Sequence, residues 1–419
     1  MYSEIKRCRI CSNTNLIPIL NLGNQALTGV FLKTKEQVVT SGPLELVKCE
    51  EDKDDKHCGL VQLRHSYNPD ELYGDSYGYR SGLNKSMVTH LQNKVNKIEK
   101  MIDLVQEDLV LDIGSNDGTL LGAYTNKRLI LVGIDPTGEK FKEYYPSYIQ
   151  LIPDFFSAKI INNHFGNKKA KVITSIAMFY DLQSPIEFMQ EIRELLDDNG
   201  VWILEQSYLP TMLEMNAYDT ICHEHMEYYC LKQLKWMADR VGLKIIDVEL
   251  NNINGGSFSV TVTKSNSHYY KKGSIVDKIL SEEKRQELFE LKPYKEFSQR
   301  VLKQREELIK FIKNERDKNK KFIGYGASTK GNVILQFCNL TEKEIPLIAE
   351  VNKDKFGCFT PGTLIPIISE AEARAMKPDY FLVFPWHFKE NIIEREKDYL
   401  SAGGKLFFPL PSLEVFSQK

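Results

Sequence analysis

Residues 109–121 read LVLDIGSNDGTLL. A run dominated by apolar residues, 109–113, enters a turn holding Gly114 and Gly118, and TLL then opens a helix. An apolar run bounded by glycine is a strand covered on both faces. The two glycines permit a tight turn at which backbone can approach a ligand closely. Working outward, LILVGID (129–135), KVITSIAM (171–178) and GVWILEQ (200–206) repeat the strand, and helical stretches separate them. Upstream, SMVTHLQNKVNKIEKMIDLV (86–105) carries apolar residues at helical spacing. This alternation predicts an α/β unit with a parallel sheet covered on both sides. The theme returns in KFIGYGAS (321–328), IPLIAEV (345–351) and YFLVFPW (380–386), with a turn at CFTPGT (358–363). Between the two units, residues 276–318 are charged and apolar-periodic, which predicts one or two long helices.

The chain has 419 residues, enough for two to three domains. Its hydrophobic fraction of 42% and charged fraction of 27% are those of a globular protein. With 55 basic and 57 acidic residues the net charge is −2, so there is no cationic excess for general nucleic-acid binding. No apolar run approaches the roughly 20 residues of a membrane span, and MYSEIKRC lacks the apolar core of a signal peptide. The expected compartment is the cytoplasm, and a monomer is mildly favoured.

Four of the eight cysteines, Cys8, Cys11, Cys49 and Cys58, fall in the first 58 residues. In a reducing compartment such a cluster reads as a metal site, and four thiolates suit tetrahedral zinc. Cys8 and Cys11 form a knuckle. Cys49 and Cys58 are spaced more loosely, so His57 competes with Cys58 as fourth ligand, and four reduced core cysteines are the alternative. A closed four-ligand site serves folding, not catalysis.

The glycine turn is not the dinucleotide pattern G-x-G-x-x-G. With Asp112 two residues before Gly114, it resembles motif I of class I S-adenosylmethionine-dependent methyltransferases, with Asn116 and Gly118 in the same turn. Asp135 ends the next strand, 21 residues after Gly114. An acid there can accept hydrogen bonds from both ribose hydroxyls, a device shared with NAD domains. In IPDFF (152–156), Asp154 is placed to accept from an adenine amino group, and Phe155 or Phe156 to cover the ring, unless both are core.

The segment SIAMFYDLQSP…GVWILEQSYLPTMLEMNAYDTICHEHMEYYCL (175–231), taken with the N-terminal cysteines, closely resembles the zinc-containing C-methyltransferases of deoxysugar nucleotides, which act on the way to branched sugars such as tetronitrose, noviose and mycarose. YGYRSGLN (77–84), NGGS (254–257), GYGASTKGNVILQ (324–336) and AEVNKDKFGCFTPGT (349–363) extend the resemblance over essentially the whole chain. It implies a zinc-binding domain at 1–88, a central class I methyltransferase (Rossmann-like) domain at 89–265, and a helical linker with a C-terminal Rossmann-like substrate domain at 266–419. It implies S-adenosylmethionine and zinc as cofactors and a nucleoside-diphosphate 4-keto sugar as substrate. It also implies the reaction: loss of a proton beside the ketone, then attack of the enolate on the methyl group.

Such chemistry needs a base near the carbon and donors for the enolate oxygen. By resemblance His225 is the base, histidine being ionisable near neutrality. Glu224 is its supporting carboxylate, either orienting the imidazole or contacting the sugar. If the segment is extended, His223 and His225 share a side and Glu224 faces away. A second metal site at His223–Glu224–His225 is the competing reading. Tyr79 binds the sugar or donates to the enolate oxygen, with Tyr77 as its alternative and core packing as the bland reading for both. Asp181, after the fourth strand, is a further candidate. Asn254 and its glycines read as backbone approaching a ligand or as a plain hairpin turn. Ser328, Thr329 and Lys330 lie at a strand-to-helix turn that favours an anion, here the diphosphate, or is the relic of a lost cofactor site. Two alternatives stand beside C-methylation: a sugar O-methyltransferase, and a nicotinamide-dependent sugar oxidoreductase or epimerase using GYGASTKG.

Overall fold

A computed structural model describes residues 2–51, 56–73, 79–269 and 275–418. Three main sheets organise it. The central sheet has seven strands in the order Leu243–Asn251, Ser257–Lys264, Leu196–Ser207, Ala170–Ile176, Leu109–Ile113, Ile130–Ile134, Ile149–Ile152. The five from Leu196–Ser207 to Ile149–Ile152 are parallel, and the first two form an antiparallel hairpin on one edge. The chain order reverses between Leu109–Ile113 and Ala170–Ile176, which opens a crevice at their carboxyl ends, where open α/β sheets bind ligands. The helix Lys85–Met101 covers one face, burying Met87, Leu91, Val95 and Ile98 against Val110, Val201 and Ile203. The predicted helical period is therefore the period of this contact.

The C-terminal sheet has six strands in the order Ile367–Ser369, Ile348–Glu350, Phe322–Tyr325, Tyr380–Val383, Lys405–Phe408, Glu414–Phe416, all parallel but the last. Two helices, Ile275–Arg285 and Lys292–Asp317, join the two units. The N-terminal sheet runs Glu227–Tyr228, Val61–Leu63, Ser41–Cys49, Leu16–Ala26. Its edge strand comes from the segment just after His225, pairing Glu227 with Gln62. That pairing binds the cysteine-rich unit to the central chain by main-chain hydrogen bonds, a join that periodicity does not reveal.

One apolar core is continuous between the N-terminal and C-terminal sheets: Leu44, Leu46 and Val61 belong to the same buried cluster as Phe322, Val333 and Phe381. A second joins the cysteines to the central sheet through Leu60, Tyr229 and Leu231. The central chain from 208 to 231 runs between the units. No helix among the described residues is long and apolar enough to cross a membrane.

Candidate active site

The cysteine spacing brings its four sulfurs together. Cys8 Sγ lies 3.5 Å from Cys58, Cys11 lies 3.4 Å from Cys49, and Cys58 lies 3.5 Å from Cys11. All four are free thiols. Among the described residues they are the one group of three or more potential ligands whose donor atoms converge, all within 4.8 Å. A Zn–S bond of about 2.3 Å gives tetrahedral edges of about 3.8 Å, so the set fits zinc after a slight expansion. Cys58, not His57, completes it. No second cluster forms at His223–Glu224–His225.

Around the glycine turn, Gly114 and Gly118 take φ of +73° and +72°, the left-handed region open to glycine. Asp112 is buried and accepts from Thr174 Oγ1 at 2.5 Å. Burial pushes its carboxyl up to about 7, against the Thr174 bond. Asp135 ties the turn to its own strand end: Oδ2 accepts from Asn116 N at 2.8 Å, and Oδ1 from Thr137 N and Oγ1 at 2.7 and 2.6 Å. Each oxygen keeps acceptor capacity beyond these bonds. Asp154 is exposed, with Phe155 N donating to it at 2.7 Å. Phe155 is 44% exposed, whereas Phe156 packs on Phe188 at 5.1 Å. The free ring is thus Phe155.

Tyr79 stands over this turn. It is 48% exposed and its carbonyl accepts from Asn116 Nδ2 at 3.2 Å. Ser81 N and Gly82 N donate to Asn116 and Asp117 at 2.9 and 2.8 Å. The segment 79–84 therefore roofs the glycine turn, and no hydrogen bond joins Tyr79 to His225. Tyr77 lies outside the described residues.

The histidine segment is not extended. His225 N donates to the Cys222 carbonyl at 3.2 Å and Met226 N to the Tyr180 carbonyl at 2.8 Å, so the chain bends at His223–Glu224. Strict alternation of faces does not apply there. Instead, His223 Nδ1 sits 3.4 Å from both Thr28 N and Thr28 Oγ1, and Thr28 Oγ1 donates to Glu224 Oε2 at 3.5 Å. Glu224 reaches over Gly29, where a Cβ would lie within 2.1 Å of its carboxylate. It does not orient His225. That role falls to the Thr220 carbonyl, 2.9 Å from His225 Nδ1. A carbonyl only accepts, so Nδ1 carries the hydrogen and Nε2 keeps its lone pair. The imidazole packs on Tyr180 with centroids 4.2 Å apart. Burial, then the charge of Lys330, pulls its pKa down to about 4. Burial takes His223 to about 3. Burial likewise raises the carboxyls of Glu224 and Asp181.

From the C-terminal unit, Ser328 caps the helix Thr329–Phe337, its Oγ accepting from Gly331 N at 3.0 Å. Lys330 Nζ donates to the Asn254 carbonyl at 2.7 Å. Asn254 has φ +54° in the turn joining the two edge strands of the central sheet, so this turn is both a hairpin and a contact for the C-terminal unit. Thr329 faces the space beside Gly29, and Asn332 Nδ2 donates to the Thr28 carbonyl at 2.8 Å. Trp386 Nε1 donates to buried Asp219 at 2.8 Å. The arrangement thus draws on all three units. Thr28, Gly29, Asn332, Asp219 and Trp386 are not singled out in the sequence, although Asn332 lies in GYGASTKGN and Asp219 in the segment 175–231.

The switch-point loop with its terminal acid, the seven-strand order and the closed thiolate set define a class: an S-adenosylmethionine-dependent methyltransferase that carries zinc. Family models match in sequence along the chain: a zinc binding domain over residues 8–73, a methyltransferase domain over 89–248, and a C-methyltransferase C-terminal domain over 252–411. The chain is 29% identical over 418 residues to C-methyltransferase NovU of Streptomyces niveus, covering 99% of this chain and 97% of the relative. Along nearly its whole length the chain is thus similar to a zinc-binding C-methyltransferase. Solved structures overlap less. A methyltransferase bound to the Haloferax volcanii Trm112 activator gives a TM-score of 0.36 at 12% identity, over 44% of this chain and 94% of that one. The plantazolicin methyltransferase BpumL, with S-adenosylhomocysteine, gives 0.34 at 13%, over 43% and 86%. At these scores neither bears on the site.

Proposed function

We propose that the chain methylates carbon beside the ketone of a nucleoside-diphosphate 4-keto deoxysugar, through an enolate, with His225 as the general base. The observation that carries the reading is the state of His225. Its hydrogen is fixed on Nδ1 by the Thr220 carbonyl, and its burial beside Lys330 keeps the ring neutral at pH 7. A neutral imidazole with a free Nε2 is a base ready to take a proton.

S-adenosylmethionine, when bound, supplies a sulfonium-activated methyl group. Asp135 is suited to its ribose hydroxyls, Phe155 and Asp154 to its adenine, and the turn from Asp112 through Asn116 to Gly118 to the rest. Lys330, with Ser328 and Thr329 at the helix start, is suited to the diphosphate of the sugar nucleotide. Glu224, whose carboxyl is pushed above the usual carboxylate range by burial, and Asn254 face the space between the units and suit the sugar. Tyr79, on the roof of the glycine turn, is suited to closing the cleft over the ketone. An O-methyltransferase reading shares these residues. The nicotinamide reading has less room, because a Cβ on Gly326 would lie 2.7 Å from Pro385.

Incubation with dTDP- and GDP-linked 4-keto sugars and S-adenosylmethionine in deuterated water tests the proposal by mass. A methylated product with exchange at the alpha carbon supports it. Methylation on oxygen, or no reaction with either series, overturns it. His225→Asn should lower kcat by about 10³-fold while S-adenosylmethionine still binds.

A further inference from the structure

A second histidine, His90 on the helix Lys85–Met101, contacts the end of the strand Leu196–Ser207 and takes no part in the scheme above. Glu205, near the carboxyl end of the strand Leu196–Ser207, is 2% exposed. Its Oε1 lies 2.5 Å from His90 Nε2, and its Oε2 accepts from Lys94 Nζ at 2.8 Å and Asn251 Nδ2 at 2.9 Å. Lys94 is itself fixed by Ser259 Oγ at 2.8 Å. Burial pushes the Glu205 carboxyl up, but the His90 and Lys94 contacts outweigh it and hold the pKa at about 2. Lys94 and Asn251 both bond Oε2, and His90 is the described partner of Oε1. His90 is a third partner, and its side chain keeps 19% of its surface exposed. With Nε2 donating to the carboxylate, Nδ1 is left over, and no described residue bonds to it.

The position relates this pair to the cleft. Ser207 follows Glu205 by two residues on the same strand, about 7 Å along it and on the same face. Ser207 shares a small void with Tyr180, Thr220 and His225. Asn251 begins the turn whose Asn254 carbonyl holds Lys330. The His90–Glu205 pair therefore reaches, from the helix Lys85–Met101, the strand end and the turn that frame His225.

We infer that His90 is a second catalytic group of the reaction, positioned by Glu205, which hydrogen-bonds the ketone oxygen of the substrate as His225 takes the alpha proton. The inference rests on the enolate reading. The step balances: the C–H bond breaks and its proton goes to His225 Nε2. The C–H electron pair becomes the C=C bond, and the carbonyl π pair moves to oxygen, which takes a proton from Nδ1 of His90 in its imidazolium form, the form in which both ring nitrogens carry hydrogen and Nε2 stays bonded to the Glu205 carboxylate. When the carbon is alkylated, the C=O bond re-forms and His90 recovers that proton. Enolate stabilisation by a positioned donor is the general requirement this meets.

The experiment measures alpha-hydrogen exchange in deuterated water with S-adenosylhomocysteine in place of the methyl donor, on the full chain with zinc bound. If the wild type does not exchange with any 4-keto sugar nucleotide, the enolate reading falls and this inference with it. If it exchanges, His90→Gln should slow exchange and kcat by about 100-fold, with S-adenosylmethionine Kd and Tm unchanged and with partial rescue by added imidazole. Glu205→Gln should act more weakly, through a displaced pH profile. Should that variant fail to fold, His90→Asn, on a part-exposed helix face, carries the test. Exchange within twofold of wild type and an unmoved pH profile in both His90 variants would overturn the assignment.

Discussion

The two α/β sheets begin alike and end differently. Each runs a strand into a glycine turn and a helix, and each ends its next strand in an acid, Asp135 or Glu350. In the central sheet the turn lies under the segment 79–84, whose Tyr79 is open to solvent, and Phe155 stands exposed near the same edge. In the C-terminal sheet the corresponding space is filled by the chain itself. A Cβ on Gly326 would meet Pro385 at 2.7 Å, and one on Gly331 would meet Phe384 at 2.9 Å. Glu350 turns back on its own loops, accepting from Ala327 N at 2.8 Å and from Val351 N and Asn352 N. Lys355 donates to the Ala327 carbonyl at 2.8 Å. Lys330 and Asn332 point away to Asn254 and Thr28. The same local design thus lies beneath the part-exposed Tyr79 segment in one sheet and serves as a joint between units in the other. What differs is what packs above the turn.

Exchanging the acids would break this contrast most directly. Asp135→Ala should raise the S-adenosylmethionine Kd by about 100-fold, the loss of two hydrogen bonds at about 1.5 kcal/mol each. Glu350→Ala should leave that Kd unchanged and cost about 1–3 kcal/mol of stability, because three N–H groups lose their acceptor. Calorimetric titration and thermal melts separate the two outcomes. Equal effects on Kd would mean that the C-terminal loop also holds cofactor.

Lys330→Met probes the joint. The KM for sugar nucleotide should rise by about tenfold, the weight of one charge-assisted contact, with S-adenosylmethionine binding unaffected. The same variant sharpens the reading of His225. Its pKa lies below the ordinary histidine value, so the neutral base persists as pH falls from 6.5 toward about 4. The acid limb of kcat/KM is therefore expected near pH 4. Lys330→Met removes a positive charge that disfavours the imidazolium, so the limb should move up, while burial, the larger cause, still holds it below the ordinary histidine value. The linkage follows the same sign. His223 and His225 are neutral when folded but take protons in the unfolded chain below 6.5, so stability is full above that pH. It is lost as pH falls toward 4, by a few kcal/mol.

The smallest effect is expected at Gly122, which ends the helix after the central turn. A Cβ there meets nothing within 4 Å. Gly122→Ala should stabilise by about 0.5 kcal/mol. At Gly331, in the first turn of the C-terminal helix Thr329–Phe337, alanine would meet Phe384 and destabilise. A pair of melting curves decides it.

Some of this was legible in short stretches of sequence. The strands around LVLDIG and KFIGYG, the Lys85–Met101 helix and the two helices before residue 318 follow from apolar period and glycine placement. The four cysteines converge as their spacing suggested. Other features depended on partners far along the chain. Glu224 answers to Thr28 and Gly29, about 195 residues earlier. His90, which has no motif around it, meets Glu205 across 115 residues. Phe155 and Phe156 are equivalent in sequence, and only the position of Phe188 separates them.

The sequence by itself determined the kinds of unit, their order, the cluster of four N-terminal cysteines and the residues able to do acid–base work. These depend on backbone preferences and periodicities acting over a few residues. Only the tertiary structure decided that His225 is tuned by a carbonyl and a distant lysine, that Glu224 faces another unit, and that one glycine loop lies under the segment 79–84 while its counterpart is packed against Pro385 and Phe384. Those outcomes depend on close packing between segments from about 60 to about 195 residues apart, where a single side chain such as Pro385 fills the space above a turn.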